Sequence, residues 1–181
     1  MMWEFKFYSR GGQGAVTAAK ILVNAAILEG KFAQAIPSYG QERKGAPVFT
    51  YARISDTPID VKAYVYRPNC VIDFDPSLKE LGIDSAEGAR PGATLVVHTH
   101  DTPNDASYVN EAFGHVTRID ADKITHELLG EVPPNVAMLG ALAKATDCVS
   151  LDSLRKAVQM KIPGKAGEMN AETCAAAYRN A

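Results

Sequence analysis

The sequence predicts an α/β fold: a single layered domain with a mostly parallel or mixed central sheet, flanked by helices, with a helical C-terminal end. Three observations predict it. Short runs of β-branched and aromatic residues alternate with helical periodicities along most of the chain. A glycine-rich turn joins the first of those runs to the first helical pattern. From Ala121 onward only helical patterns remain. The 181 residues fit one domain, 1–181, and 46% hydrophobic content is enough to bury a core.

The elements follow in order. Trp3 to Tyr8 alternates aromatic and charged residues, which suits a strand. After the glycines, Val16, Ala19, Val23, Ala26 and Ile27 recur at helical spacing, and Gly30 supplies a stop. Phe32 to Ile36 reads as a second strand, ended by Pro37. Val48 to Ile54 is rich in β-formers. Asp56-Thr57-Pro58 is a turn, from which Asp60 to Tyr66 would pair back as a hairpin. Cys70 to Phe74 is a short apolar strand, and Asp75-Pro76 starts a short helix with Pro76 at its first position. Thr94 to His98 and His115 to Ile119 are further strands. Ala121 to Leu129, Asn135 to Ala145, Leu151 to Met160 and Glu168 to Tyr178 read as helices. The third segment is apolar nearly all round, with Ala137, Ala141 and Ala145 one turn apart. A helix of that kind must be covered on most faces, and a central core helix is favoured over a subunit interface.

Composition excludes several classes. The 19 basic and 21 acidic residues leave a net charge of −2, too little basic surplus for nucleic-acid binding by bulk charge. No segment approaches the roughly 20 apolar residues of a membrane span, and the N-terminal stretch lacks a signal-peptide core. A cytoplasmic protein without membrane contact is expected. Cys70, Cys148 and Cys174 are scattered and form no CxxC pair, so no local iron–sulfur or zinc-ribbon pattern exists. They read as small buried hydrophobes.

Three constellations bear on chemistry. Ser9-Arg10-Gly11-Gly12-Gln13-Gly14 stands between a strand and a helix, with serine at the first position of a G-x-G-x-x-G pattern. Glycines there let backbone amides approach a phosphate at the positive helix end, and Arg10 would add a fixed positive charge. The second strand ends Ala35-Ile36-Pro37-Ser38, without the carboxylate that holds a dinucleotide ribose, so bound NAD is disfavoured. Anion contact and plain packing of the turn against a neighbouring strand or chain both remain open. The polar loop Tyr39 to Pro47 mixes both charge signs with an aromatic and two glycines; binding and solvated surface are equally open. On a strand, His98 and His100 would face the same way, with Asp101 a conceivable third ligand. The turn-like string that follows favours exposed loop residues, and no metal is assigned. There is no G-x-S-x-G, P-loop or H-E-x-x-H. That lack of a self-contained catalytic signature favours a subunit or a binding module.

Taken together, Arg10 to Ala19, Tyr39 to Val48 and Asn135 to Ala141 resemble the gamma subunit of the 2-oxoacid:acceptor oxidoreductases of the pyruvate:ferredoxin type. Ile162-Pro163-Gly164-Lys165, with Asn170 beyond, is also similar to that family, and the resemblance runs nearly end to end. It implies a small α/β subunit without catalytic residues of its own. It implies a complex that oxidatively decarboxylates a 2-oxoacid to an acyl-CoA and passes electrons to ferredoxin or flavodoxin. Thiamine diphosphate, magnesium and iron–sulfur clusters would sit in alpha, beta and delta-type partner subunits, with coenzyme A as co-substrate.

Carried over by residue, Arg10, Gly11, Gly12, Gln13 and Gly14 would form a glycine turn at the subunit interface or near the CoA phosphates. Tyr39, Gly40, Glu42, Arg43, Lys44 and Gly45 would form the loop facing the partner. The chain departs from the family in having Ser9 for a glycine and Lys44 for a second arginine, which forfeits one bidentate fork. Gly45-Ala46-Pro47 looks more like the pyruvate and branched-chain branches than the 2-oxoglutarate one. A subunit of an indolepyruvate or 2-oxoglutarate oxidoreductase is the related alternative. A stand-alone nucleotide-binding module is the alternative from another class, and an isolated chain could form a homodimer.

Overall fold

The aromatic–charged alternation near the N-terminus builds an interior strand of the sheet. The structure is a computed structural model and describes residues 1–38, 44–100 and 110–181. Strand β1 (Met2–Arg10) sends Phe5 and Phe7 to one face and Tyr8 to the other, since successive side chains on a strand point oppositely. Phe5 and Phe7 are fully buried, and burial of each contributes about 2 kcal/mol. Helix α1 (Ala15–Leu28) follows the glycine turn, then β2 (Phe32–Pro37) and β3 (Pro47–Ser55). Strand β4 (Cys70–Asp73) leads into a 3₁₀ helix (Pro76–Leu81), with Pro76 at its first position and the Asp75 side chain accepting from Ser77 N–H at its cap. Strands β5 (Ala93–His98) and β6 (Phe113–Ile119) complete the sheet. Helices α2 (Ala121–Leu129), α3 (Asn135–Thr146), α4 (Leu151–Lys161) and α5 (Gly164–Asn180) end the chain.

The six strands lie in the order β2-β3-β1-β4-β5-β6. Strand β3 pairs antiparallel with both β1 and β2, so β1 and β2 run the same way on either side of it. Strands β1, β4, β5 and β6 pair in parallel. Among the described strands only β3 runs against the rest, so the sheet is mixed but mostly parallel. Helices α1 to α5 each bury side chains in one core with Phe5, Phe7, Ala52, Ile54, Cys70, Ile72 and Val96. The opposite face carries a smaller cluster of Tyr8, Val71, Leu78, Leu95 and Val97, roofed by the 3₁₀ helix and the chain after it rather than by an α-helix. The helices therefore flank one face of the sheet.

Helix α3 is a core helix, as its composition predicts: Val136 through Ala143 are all buried. It lies against α5, where Gly140 lets the two backbones meet. The segment Asp60 to Tyr66, expected to pair back as a hairpin, forms no strand. The reason is that both edges of β3 are already taken, by β1 and β2. The segment is held to β3 by side chains instead. The buried Arg53 donates to the Ala63 and Tyr64 carbonyls (2.7 and 3.1 Å), and Gln34 on β2 donates to the Val61 carbonyl (2.7 Å). Helix α5 begins four residues earlier than Glu168, directly after Pro163.

Candidate functional site: a glycine turn at the switch point of the sheet

In an open α/β sheet, a cleft forms at the carboxyl ends of neighbouring parallel strands whose outgoing connections diverge. Here that place lies between β1 and β4. The chain leaves β1 through α1 toward β2, and leaves β4 toward β5 on the other side. The loops facing each other there are the glycine turn, Gly11 to Gly14, and Phe74-Asp75-Pro76.

Ser9, at the first position of the glycine pattern, is still strand. It pairs with Val48 and its Oγ donates to the Val48 carbonyl (3.0 Å), so the turn starts after it. Gln13 closes the turn, its Oε1 accepting from Arg10 N–H (2.7 Å). Gly14 ends it at φ 81°, a left-handed conformation that favours glycine. A Cβ at Gly14 would lie 2.7 Å from Asn135 Nδ2, so α3 abuts the turn at its first residue. Among the described residues no side chain caps α1, and the first amides of a helix have no intrahelical acceptor. They are the part of the site suited to an anion.

The far side of the turn is clasped by the end of the polar loop. Gly11 N–H donates to the Ala46 carbonyl (2.8 Å), Gly45 N–H returns to the Gly11 carbonyl (3.1 Å), and Arg10 Nη1 reaches the Gly45 carbonyl (3.2 Å). The three separate sequence segments thus converge on one end of the sheet. Tyr39, Gly40, Glu42 and Arg43 lie outside the described residues. Lys44 lines a cavity of about 440 Å³ together with Arg10, Gly12, Gly14, Val16 and Thr17.

Arg10 is not a free positive charge. Its Nε donates to Asp75 Oδ2 (2.8 Å) and its Nη2 to Ser77 Oγ (2.9 Å), while Gln13 Nε2 reaches the same carboxylate oxygen (3.3 Å). Arg10 is therefore a clamp that ties the turn to the loop after β4. Among the described residues, attraction for an anion is left to Lys44 and the helix amides. Asp75 is the residue of this candidate site that sequence reasoning missed. Its only local signal is its place before Pro76, which identifies a cap but not a partner 65 residues away. Its neighbour Asp73 is buried, and burial lifts its carboxyl to about 6 against the hydrogen bond from Asp75 N–H (3.0 Å).

The cysteines are buried as read, and burial pushes the Cys148 and Cys174 thiols up to about 11 and 12. Neutral thiols of this kind are poor metal ligands. His98 is not an exposed loop residue: it is 7% exposed and packs on α2, while His100 is exposed. Asp101 lies outside the described residues, and Asp122 of α2 takes the place beside the two imidazoles. Among the described residues, no helix is long and apolar enough to cross a membrane.

With this geometry in place, similarity to known proteins is informative. The family model described as pyruvate ferredoxin/flavodoxin oxidoreductase matches residues 4–180. The chain is 42% identical over 178 residues to the pyruvate/ketoisovalerate oxidoreductases common subunit gamma of Thermococcus kodakarensis, covering 98% of this chain and 96% of the relative. It is 41% identical over 177 residues to the pyruvate synthase subunit PorC of Methanocaldococcus jannaschii, with the same coverage of each chain. The crystal structure of the pyruvate oxidoreductase subunit PORC from Thermotoga maritima superposes with a TM-score of 0.81 at 28% identity, covering 98% of this chain and 96% of that one. Matched nearly end to end in sequence and in fold, this chain belongs, as a gamma-type chain, to the pyruvate ferredoxin/flavodoxin oxidoreductase family.

Proposed function

We propose that the chain, one gamma-type domain over residues 1–181, packs on the catalytic core of a cytoplasmic, multi-subunit 2-oxoacid:ferredoxin oxidoreductase of the pyruvate type. Its glycine turn serves the coenzyme A step or the contact with the core. The observation that carries this reading is the convergence of the glycine turn, the Lys44–Ala46 strand lead-in and Asn135 on one end of the sheet, around an uncapped helix N-terminus. Among its described residues, such a site offers helix amides and Lys44 to an anionic group such as a CoA phosphate. The chemistry of decarboxylation and electron transfer would come from thiamine diphosphate, magnesium and iron–sulfur clusters held by alpha, beta and delta-type partners, with ferredoxin or flavodoxin as acceptor. The Thermococcus relative is named a common subunit of pyruvate and ketoisovalerate oxidoreductases, which supports a subunit that does not choose between those 2-oxoacids.

Gly12→Asp tests the role of the turn. Gly12 has φ 101° and open space where a Cβ would go, so the damage comes from backbone strain and negative charge rather than a clash. In the reconstituted complex we expect the KM for coenzyme A to rise about tenfold or more, the equivalent of about 1.4 kcal/mol, or assembly to weaken visibly by size-exclusion chromatography. Gly12→Ala, which adds strain without charge, should have the smaller effect. Wild-type assembly and wild-type CoA dependence in Gly12→Asp would remove the turn from both roles.

A further inference from the structure

Two imidazoles and a carboxylate meet where β5 ends and α2 begins, on the helix-covered side of the sheet. His98 ends β5 and His100 lies two residues beyond it, with the two rings 4.8 Å apart. Asp122 comes from the first turn of α2. His98 Nε2 lies 3.2 Å from Asp122 Oδ2, and His100 Nε2 lies 3.7 Å from the same oxygen. One ligand atom from each residue falls within 4.8 Å of the other two. A tetrahedral ion with bonds of about 2.0 Å places its ligand atoms about 3.3 Å apart, so both histidine–carboxylate spacings are near what is needed and the two rings must draw together by up to about 1.5 Å to share one ion.

The surroundings of the rings also suit an ion. His100 Nδ1 lies 3.1 Å from Asp120 Oδ1, and that carboxylate is itself fixed as the cap of α2 by Lys123 N–H (2.9 Å). With Nδ1–H donating to Asp120, His100 presents its Nε2 lone pair toward the Asp122 carboxylate. Two acceptors facing each other need a cation or a proton between them. A carboxylate behind the ring of a ligating histidine is the usual outer support of such a ligand. His98 Nδ1 sits between Ala121 N–H (3.1 Å) and the Ile119 carbonyl (3.3 Å). When His98 binds an ion through Nε2, its ring proton moves to Nδ1 and donates to Ile119, and Ala121 N–H gives up its acceptor. That exchange weakens the site by one hydrogen bond without removing a ligand.

We propose that His98, His100 and Asp122 form a binding site for a divalent ion of the zinc class. Imidazole and carboxylate are donors for zinc, cobalt, nickel or ferrous iron, whereas magnesium and calcium take oxygen ligands. Three protein ligands leave one position open. The three residues line a cleft of about 290 Å³ together with Gln13, Asp75 and Ser77, from which a water or an anionic oxygen of a bound molecule would complete the shell. The site is separate from the subunit reading and survives its failure.

The test uses the untagged full chain in a non-chelating buffer, titrated with cobalt(II) and followed by visible absorption, and with zinc followed by calorimetry. The expected result is one equivalent per chain, with the visible band of a four- or five-coordinate cobalt. His100→Ala and Asp122→Asn should each weaken binding about tenfold or more. His115→Ala, an exposed histidine on β6, should bind as wild type does, and circular dichroism should show all variants folded. Wild-type binding no tighter than that of His100→Ala, or the absence of a stoichiometric step, overturns the proposal.

Discussion

Gly140→Val is expected to lower the unfolding free energy by more than about 3 kcal/mol, or to leave no folded chain. A Cβ at residue 140 would overlap the carbonyl oxygen of Cys174 in α5 and lie 3.0 Å from Tyr178 N. Both are backbone atoms of a helix, so neither can swing aside as a side chain would. Relief requires α3 and α5 to separate, which opens the interior around Leu139, Leu142 and Ala171. Gly140→Ala should fall between valine and wild type. Its gain in helix propensity, about 1 kcal/mol, offsets only part of the overlap. Urea unfolding of the three chains checks the order. Equal midpoints for valine and glycine would contradict the close approach of the helices.

Asp75→Ala is expected to damage the site about as much as Gly12→Asp does, and to cost the fold stability as well. The Asp75 carboxylate receives Arg10 Nε, Gln13 Nε2, and both the N–H and hydroxyl of Ser77. Its removal leaves the partly buried Arg10 guanidinium without its anion and frees both ends of the turn from the loop after β4. A stability loss of about 2 kcal/mol is expected, since an unpaired charge and a lost cap act together. In the reconstituted complex, the KM for coenzyme A or the strength of subunit association should change about tenfold. Asp75→Asn keeps an acceptor for Ser77 and should recover most of the stability but not the pairing with Arg10. A complex of Asp75→Ala with wild-type CoA dependence and wild-type association would show that the clamp serves neither.

The helix Ala15–Leu28 and the strands around it were legible because each depends on local chemistry: a period of apolar residues, a glycine stop, a run of β-formers. What misled was long-range occupancy. Asp60 to Tyr66 has strand-like composition, but whether it pairs depends on β3 having a free edge, and β2 arrives from earlier in the chain to take it. The candidate site shows the same division. The position of Arg10 and the glycines between a strand and a helix was legible locally. The use of Arg10 was not, because Asp75 neutralises it across 65 residues. In the same way, Asp122 joins His98 and His100 only because α2 folds back over the end of β5, which no spacing in the sequence expresses.

As a gamma-type chain, this protein should work as a member of a 2-oxoacid oxidoreductase complex. The most direct test is to recover the tagged chain from its native cells under gentle anaerobic conditions. The eluate is then assayed for CoA-dependent pyruvate oxidation with a viologen acceptor. Companion chains carrying iron and thiamine diphosphate are expected, with that activity in the same fraction. A chain recovered alone and inactive, yet binding a nucleotide tightly in calorimetry, would contradict that expectation and leave a stand-alone nucleotide-binding module instead.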